Sequence, residues 1–470
     1  MASVRAPTSR PRPSGGRVLT QINVDRPSRA AQADVVRPTT QLAGAGSFAS
    51  AFPVTRLAVE SIALAAEAIA DVVGLDSPSP GVVIDRDLAS SWFAASLRPD
   101  GWELPPVWDP IAGDHPTADG WIRLHTNAPR HRRAALAALG FAPDGDTSRE
   151  VVADAVSRWT ADELETAVVD AGGAAAAMRD VADWAVHPQG RAVATEPLVH
   201  RSVGSSGEPG RPGPAHRPLG GVRVLDLTRV LAGPVATRFL AGFGAEVLRI
   251  DPPEWDEPAV VPDVTLGKRC ARLDARTDDG RAHLRRLLAD TDVLVHGYRP
   301  GALDTLLGLD AEGRADLRPG LVEVSLDAYG WTGPWSSRRG FDSLVQMSSG
   351  IAEAGMRWAG RDVPTPLPVQ ALDHATGYLM AAEAIDGFRT RCETGCGGVR
   401  RVSLARTAVW LCELPADDDA PSPEAPWSVA AYEATPWGPA RRLPPPVTIT
   451  GTPMRWDLAA SALGSADPRW

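Results

Sequence analysis

The sequence predicts an α/β protein built on a parallel β-sheet, and three observations carry that prediction. Four short runs rich in β-branched residues recur in the second half, at 222–227, 245–250, 292–296 and 321–326, with a helical pattern over 278–290 between two of them. The loop 228–234 between the first two runs leads into a helix over 235–243, whose N-terminal backbone N–H groups can face an anion. A Gly/Pro/Ser-rich stretch, 202–216, separates this half from an N-terminal lobe and reads as an extended, mobile linker.

Along the chain, residues 1–50 hold Arg, Pro, Ser and Gly with few large apolar side chains, which predicts a disordered leader. Residues 51–201 form the N-terminal lobe, 202–216 the linker, 217–411 the sheet domain and 412–470 a C-terminal tail. The loop 228–234 lacks the G-x-G-x-x-G fingerprint, so a dinucleotide is a minority reading and another phosphate carrier fits as well. An internal echo sets Leu379-Met-Ala-Ala-Glu-Ala-Ile385 beside Ala63-Leu-Ala-Ala-Glu-Ala-Ile69 and continues from Gly398 to Gly81. In that register Leu57 stands where the later copy has Asp373.

A chain of 470 residues has room for two or three domains, and 44% hydrophobic with 23% charged residues is the composition of a globular protein. The net charge of −10 argues against wholesale nucleic-acid binding while leaving room for a local basic pocket. Four cysteines are too few for a disulfide framework, and Cys392 with Cys396 lacks a second pair, so no metal site is expected. No apolar run approaches the roughly 18 residues that span a bilayer, and the N-terminus has no secretory apolar core, so the cytoplasm is the expected location and no membrane partner is expected.

The most informative residue is Asp373, set by an apolar lead-in just ahead of a helical run over 378–388. An Asp there is an ordinary helix cap; it is also where a carboxylate can act as a nucleophile that takes an acyl group from a thioester.

Six segments then resemble one family, in order and over about 218–411: Pro218 to Pro234, Gly244 to Asp251, Tyr298-Arg-Pro-Gly301, Tyr329-Gly-Trp-Thr-Gly-Pro334, Gly340-Phe-Asp-Ser-Leu-Val-Gln346 and Asp373-His-Ala-Thr-Gly377. They are similar to the family III CoA-transferases, the CaiB/BaiF group. The resemblance implies a Rossmann-like large domain, a smaller α+β domain and an interlocked homodimer. It implies an enzyme that moves CoA from an acyl-CoA to a carboxylic acid through an aspartyl anhydride and an aspartyl-CoA thioester, with Asp373 as nucleophile. CoA thioester would be the substrate, with no tightly bound cofactor. By motif position Val230, Leu231, Ala232, Arg249, Lys268, Tyr298 and Arg339 are expected to bind CoA, whose phosphates suit arginine forks. Gly350 and Gly377 are candidate oxyanion donors.

The N-terminal lobe resembles the later, small-domain part of the same family through 117–124, 159–164 and His187-Pro-Gln189, and 444–453 resembles its closing segment, so the domain order is rearranged. Whether the lobe completes the site within one chain stays open. Two positions depart from the pattern, Leu231 for a polar residue and Gly297 for the Asn that precedes the aromatic. The alternatives are an α-methylacyl-CoA racemase-like enzyme, disfavoured because Phe341 stands at the matching His unless His374 takes its part, and a CoA-thioester-binding homologue without turnover.

Overall fold

The computed structural model describes residues 40–417 and 420–470, so the leader expected over 1–50 falls outside the described residues up to position 39. Its end is not disordered. Strand Thr40–Ala43 pairs in parallel with Val82–Asp85, and the Gly46 N–H donates to the Asp87 carboxylate at 3.0 Å.

The central sheet has seven strands in the order Lys268–Arg272, Glu246–Asp251, Arg223–Leu227, Val293–His296, Val322–Asp327, Cys396–Ser403 and His200–Ser206. The first six run parallel and the last is antiparallel. Alternation within each strand sorts side chains onto two faces. Val224, Val247, Val295 and Val324 enter one apolar core, while Leu225, Leu248, Ile250 and Leu294 enter another. Each buried side chain of this size contributes about 1.5–3 kcal/mol, which is why a parallel sheet needs cover on both faces.

The reading of 202–216 as a mobile linker is corrected at its start, since residues 202–206 belong to the sheet's edge strand. An edge strand is held by its main chain and needs no apolar side chains, so Gly and Ser suffice. Glycine is required at one point: a Cβ on Gly204 would meet the Gly398 Cα at 2.9 Å.

Helix Ala371–Thr394 lies on the valine face, and a second long helix, Val54–Val73, packs along it. Each leads to a strand and a second helix, Val82–Asp85 with Arg86–Ala94 and Cys396–Ser403 with Leu404–Glu413. Both second helices are capped by the strand's last side chain, Asp85 accepting from Leu88 N–H and Ser403 from Arg406 N–H. The echo in the sequence is thus a repeated helix–strand–helix unit.

The span 51–201 is not one lobe. Its first part joins the C-terminal tail, where Val447–Ile449 pairs antiparallel with Val82–Asp85 and Gly438–Arg442 pairs with Leu97–Pro99. Its middle part has its own small sheet, Gly113–Pro116, Trp121–Leu124 and Ala175–Ala177, over a core that includes Ile122, Leu136, Val152 and Leu164. This small domain docks on the large one through buried polar contacts. Glu165 pairs with Arg338 at 3.0 Å and Arg179 at 2.8 Å, and Gln189 donates to the Tyr329 and Thr332 carbonyls at 2.8 Å each.

Candidate active site

A cavity of about 340 Å³ opens at the carboxyl ends of strands Arg223–Leu227, Val293–His296 and Val322–Asp327. The strand after Arg223–Leu227 in sequence lies on one side of it and Val293–His296 on the other. The connections therefore diverge there and leave a crevice, the usual ligand position of an open α/β sheet.

Asp373 lines this cavity from the first turn of helix Ala371–Thr394 and is 6% exposed. Its N–H donates to Asp342 Oδ2 at 2.9 Å; Gln346 donates to the other oxygen of Asp342 and accepts from the Leu367 N–H at 2.8 Å. The segment 340–346 thus clamps the start of the Asp373 helix. Burial raises the Asp373 carboxyl well above the usual carboxylate range, and the neighbouring Asp342 charge pushes it further. Two buried carboxyls this close resist ionising together, and burial raises Asp342 as well.

Val230 and Ala232 line the same cavity. Val230 has φ 66°, alone among the described non-glycine residues in the left-handed region, a strain of order 1–3 kcal/mol for a β-branched residue. Its N–H donates to Glu257 Oε2 at 2.8 Å, and Glu257 is held in turn by Arg249. Tyr298 and Arg339 are on the cavity wall, and so are Arg130, Arg229 and Arg299. Arg299 and Arg339 donate to the neutral carbonyls of Ser337 and Gly172. Burial first, then the mutual repulsion of these cations, holds Arg130 and Arg339 below the ordinary guanidinium range. A crowd of partly desolvated guanidiniums is a site prepared for a polyanion.

Of the expected binding residues, five come together: Val230, Ala232, Tyr298, Arg339 and Asp373. Three do not. Arg249 has a fully buried side chain bonded to Asp251 at 2.8 Å and to Glu257, so its charge is spent beneath the cavity. Lys268 is equally buried, donating to Asp226 at 3.0 Å and the Pro234 carbonyl at 2.9 Å. Leu231 turns into the apolar core. Neither Gly350 nor Gly377, the candidate oxyanion donors, lines the cavity, and both are packing positions. A Cβ on Gly377 would meet the Ala232 carbonyl at 2.4 Å, and one on Gly350 would meet the Val181 nitrogen at 2.4 Å. His374 does not reach the cavity; it is buried and stacks on Phe93 at 5.0 Å.

Sequence reasoning missed Arg130 and His131, which the small domain contributes at the start of helix Pro129–Ala138. The signal was a basic run directly after a proline at a helix start, Pro129-Arg-His-Arg-Arg133. It also missed Arg229, Arg299 and Asp327; Arg299 stood inside a motif already singled out.

This fold and cavity define an α/β protein with a carboxylate and a cationic wall at the switch point of its sheet. The profile of CoA-transferase family III matches residues 219–430 of this chain. Over 209 residues the chain is 34% identical to the acetyl-coenzyme A transferase nodX of Hypoxylon pulicicidum, covering 43% of this chain and 35% of that protein. It is 31% identical over 215 residues to a probable fatty acyl-CoA transferase of Mycobacterium tuberculosis, covering 42% and 52%. A crystal structure of a CAIB/BAIF family protein from Brucella suis is 25% identical, with 48% of this chain and 65% of that chain covered and a TM-score of 0.35. The chain thus spans about a third to a half of the length of these two curated relatives.

Proposed function

We propose that this protein is an acyl-CoA:carboxylate CoA-transferase with Asp373 as its nucleophile. The observation that carries the reading is the cavity itself, where the buried Asp373 carboxylate shares a wall with Arg130, Arg229, Arg299 and Arg339, whose guanidiniums suit the phosphates of CoA. The small domain supplies two of the wall residues, Arg130 and His131, so the cavity is lined within one chain.

The ionised Asp373 oxygen attacks the thioester carbonyl carbon. The C–S bond breaks, CoA leaves as thiolate and an aspartyl–acyl anhydride remains. The thiolate then attacks the aspartyl carbonyl carbon, releasing the donor acid as its carboxylate and leaving aspartyl-CoA thioester. An acceptor carboxylate attacks that thioester in the same way, and the returning thiolate takes the new acyl group and frees Asp373. Exclusion of water favours each anhydride step, and the low exposure of Asp373 supports that condition.

Racemisation would need a base beside the α-carbon. Phe341, at the position where the racemase resemblance expects its histidine, stands at the cavity wall with its ring stacked on His125 at 3.7 Å and cannot take a proton. The test is an exchange assay with a panel of acyl-CoA donors and free acids, with thioesters followed by mass spectrometry. New acyl-CoA species are expected. Binding of CoA esters with no exchange would favour the non-catalytic homologue, and deuterium uptake at the α-carbon from heavy water would favour the racemase.

A further inference from the structure

The one imidazole of the cavity wall has no part in the scheme above. His131 is 1% exposed, comes from the small domain and lines the same cavity as Asp373. Its Nε2 receives a hydrogen bond from Arg130 Nε at 3.3 Å. A guanidinium nitrogen only donates, so Nε2 must offer its lone pair, and the ring proton of a neutral imidazole then sits on Nδ1. That Nδ1 is buried and has no hydrogen-bond partner. A buried N–H without an acceptor costs roughly 1–3 kcal/mol, and a ligand oxygen seated beside it in the cavity would remove that cost.

We propose that His131 is a further substrate-contacting residue, donating its Nδ1–H to the carbonyl oxygen of the acyl group bound in this cavity. The inference rests on the CoA-thioester reading of the site. The ring is fixed for the task. Phe341 packs edge-on at 5.8 Å, and His125 lies beyond at 6.4 Å, itself stacked on Phe341. Burial first, then the charges of Arg130 and Arg339, lowers the His131 imidazole to about 4, so it stays neutral through the physiological range. A neutral imidazole polarises a carbonyl without transferring its proton, and its hydrogen bond strengthens as negative charge builds on that oxygen. Because the donor comes from the small domain, the carbonyl would be gripped between the two domains, with Asp373 on the large one.

The experiment compares two ligands, acetyl-CoA and the thioether S-ethyl-CoA, which share everything except the carbonyl oxygen. Calorimetric affinities are measured for the unaltered protein, His131→Phe and His131→Asn. The phenyl ring keeps the packing and loses the donor; the smaller Asn keeps an amide N–H near the Nδ1 position and guards against misfolding of the first variant. The unaltered protein is expected to prefer acetyl-CoA about 5-fold, the effect of one hydrogen bond. His131→Phe should lose that preference while holding S-ethyl-CoA as before, and His131→Asn should keep part of it. An equal preference for acetyl-CoA in the unaltered protein and His131→Phe would overturn the assignment and leave the functional reading intact. Failure of all three proteins to bind either ligand would overturn both.

Discussion

Lys268 separates the structural account from the motif account most sharply. Its ammonium is fully buried between Asp226, at 3.0 Å, and the Pro234 carbonyl, at 2.9 Å. Asp226 also accepts from the Thr228 N–H at 2.9 Å and from the hydroxyls of Thr228 and Thr237. In Lys268→Met the stem is replaced by a chain of similar volume and the charge is lost, leaving a buried carboxylate whose cation has gone. Removing one partner of a buried pair costs about 3–5 kcal/mol, a large fraction of the roughly 5–15 kcal/mol that holds a domain together. Urea unfolding should show that loss. Adding Asp226→Asn should recover most of it, because the remaining neutral amide no longer demands a counter-charge. CoA affinity of the folded fraction, measured by calorimetry, should change less than about threefold. Unchanged stability together with a tenfold or greater loss of CoA affinity would refute the reasoning and return Lys268 to the ligand.

Other expectations follow from the same geometry. Asp342→Asn keeps an acceptor for the Asp373 N–H and removes the like charge that raises the Asp373 carboxyl. A group raised in the folded state ionises only at higher pH, so transfer activity should rise with pH, and this variant should shift the rise toward acid; an unmoved profile would contradict the coupling. The same sign governs stability. What these protonated carboxyls contribute is fully present below their unfolded values and is lost as pH rises through their folded ones, so Asp342→Asn should flatten the pH dependence of unfolding. Gly297→Asn restores an amide at the cavity wall where a Cβ would meet nothing nearer than Leu326 Cδ2 at 3.8 Å, so the fold should be unperturbed and CoA affinity should rise by several-fold in a calorimetric titration. Gly377→Ala drives a Cβ to 2.4 Å from the Ala232 carbonyl and should cost about 1–3 kcal/mol in urea unfolding, since backbone rather than a flexible side chain must move.

The sequence was legible where burial on both faces left a nearly continuous apolar run, as in Val293–His296, and illegible where a strand's role rested on its main chain. His200–Ser206 reads as a linker because an edge strand needs no apolar pattern. Lys268–Arg272 was hidden because its first residue is a lysine whose partner, Asp226, comes from another strand. The same blindness governed the site. Asp373, Val230, Ala232, Tyr298 and Arg339 could be placed because the motif that carries each is local. Arg249 and Lys268 looked free because nothing near them in sequence announces Glu257 and Asp226 as partners. Arg130 and His131 reach the cavity because the small domain docks through Glu165 and Gln189, and the basic run after Pro129 does not by itself say where that helix start will lie. The internal echo was readable as similarity, yet only packing shows its two helices lying side by side, with Leu57 buried at the place corresponding to Asp373.

The central claim is that Asp373 carries the acyl group covalently, and trapping tests it most directly. The protein is incubated with an acyl-CoA, quenched with hydroxylamine and digested for mass spectrometry. Conversion of the Asp373 side chain to a hydroxamate, absent without acyl-CoA, is the predicted result. Undiminished CoA exchange in Asp373→Ala, with no hydroxamate at position 373 in the unaltered protein, would contradict it.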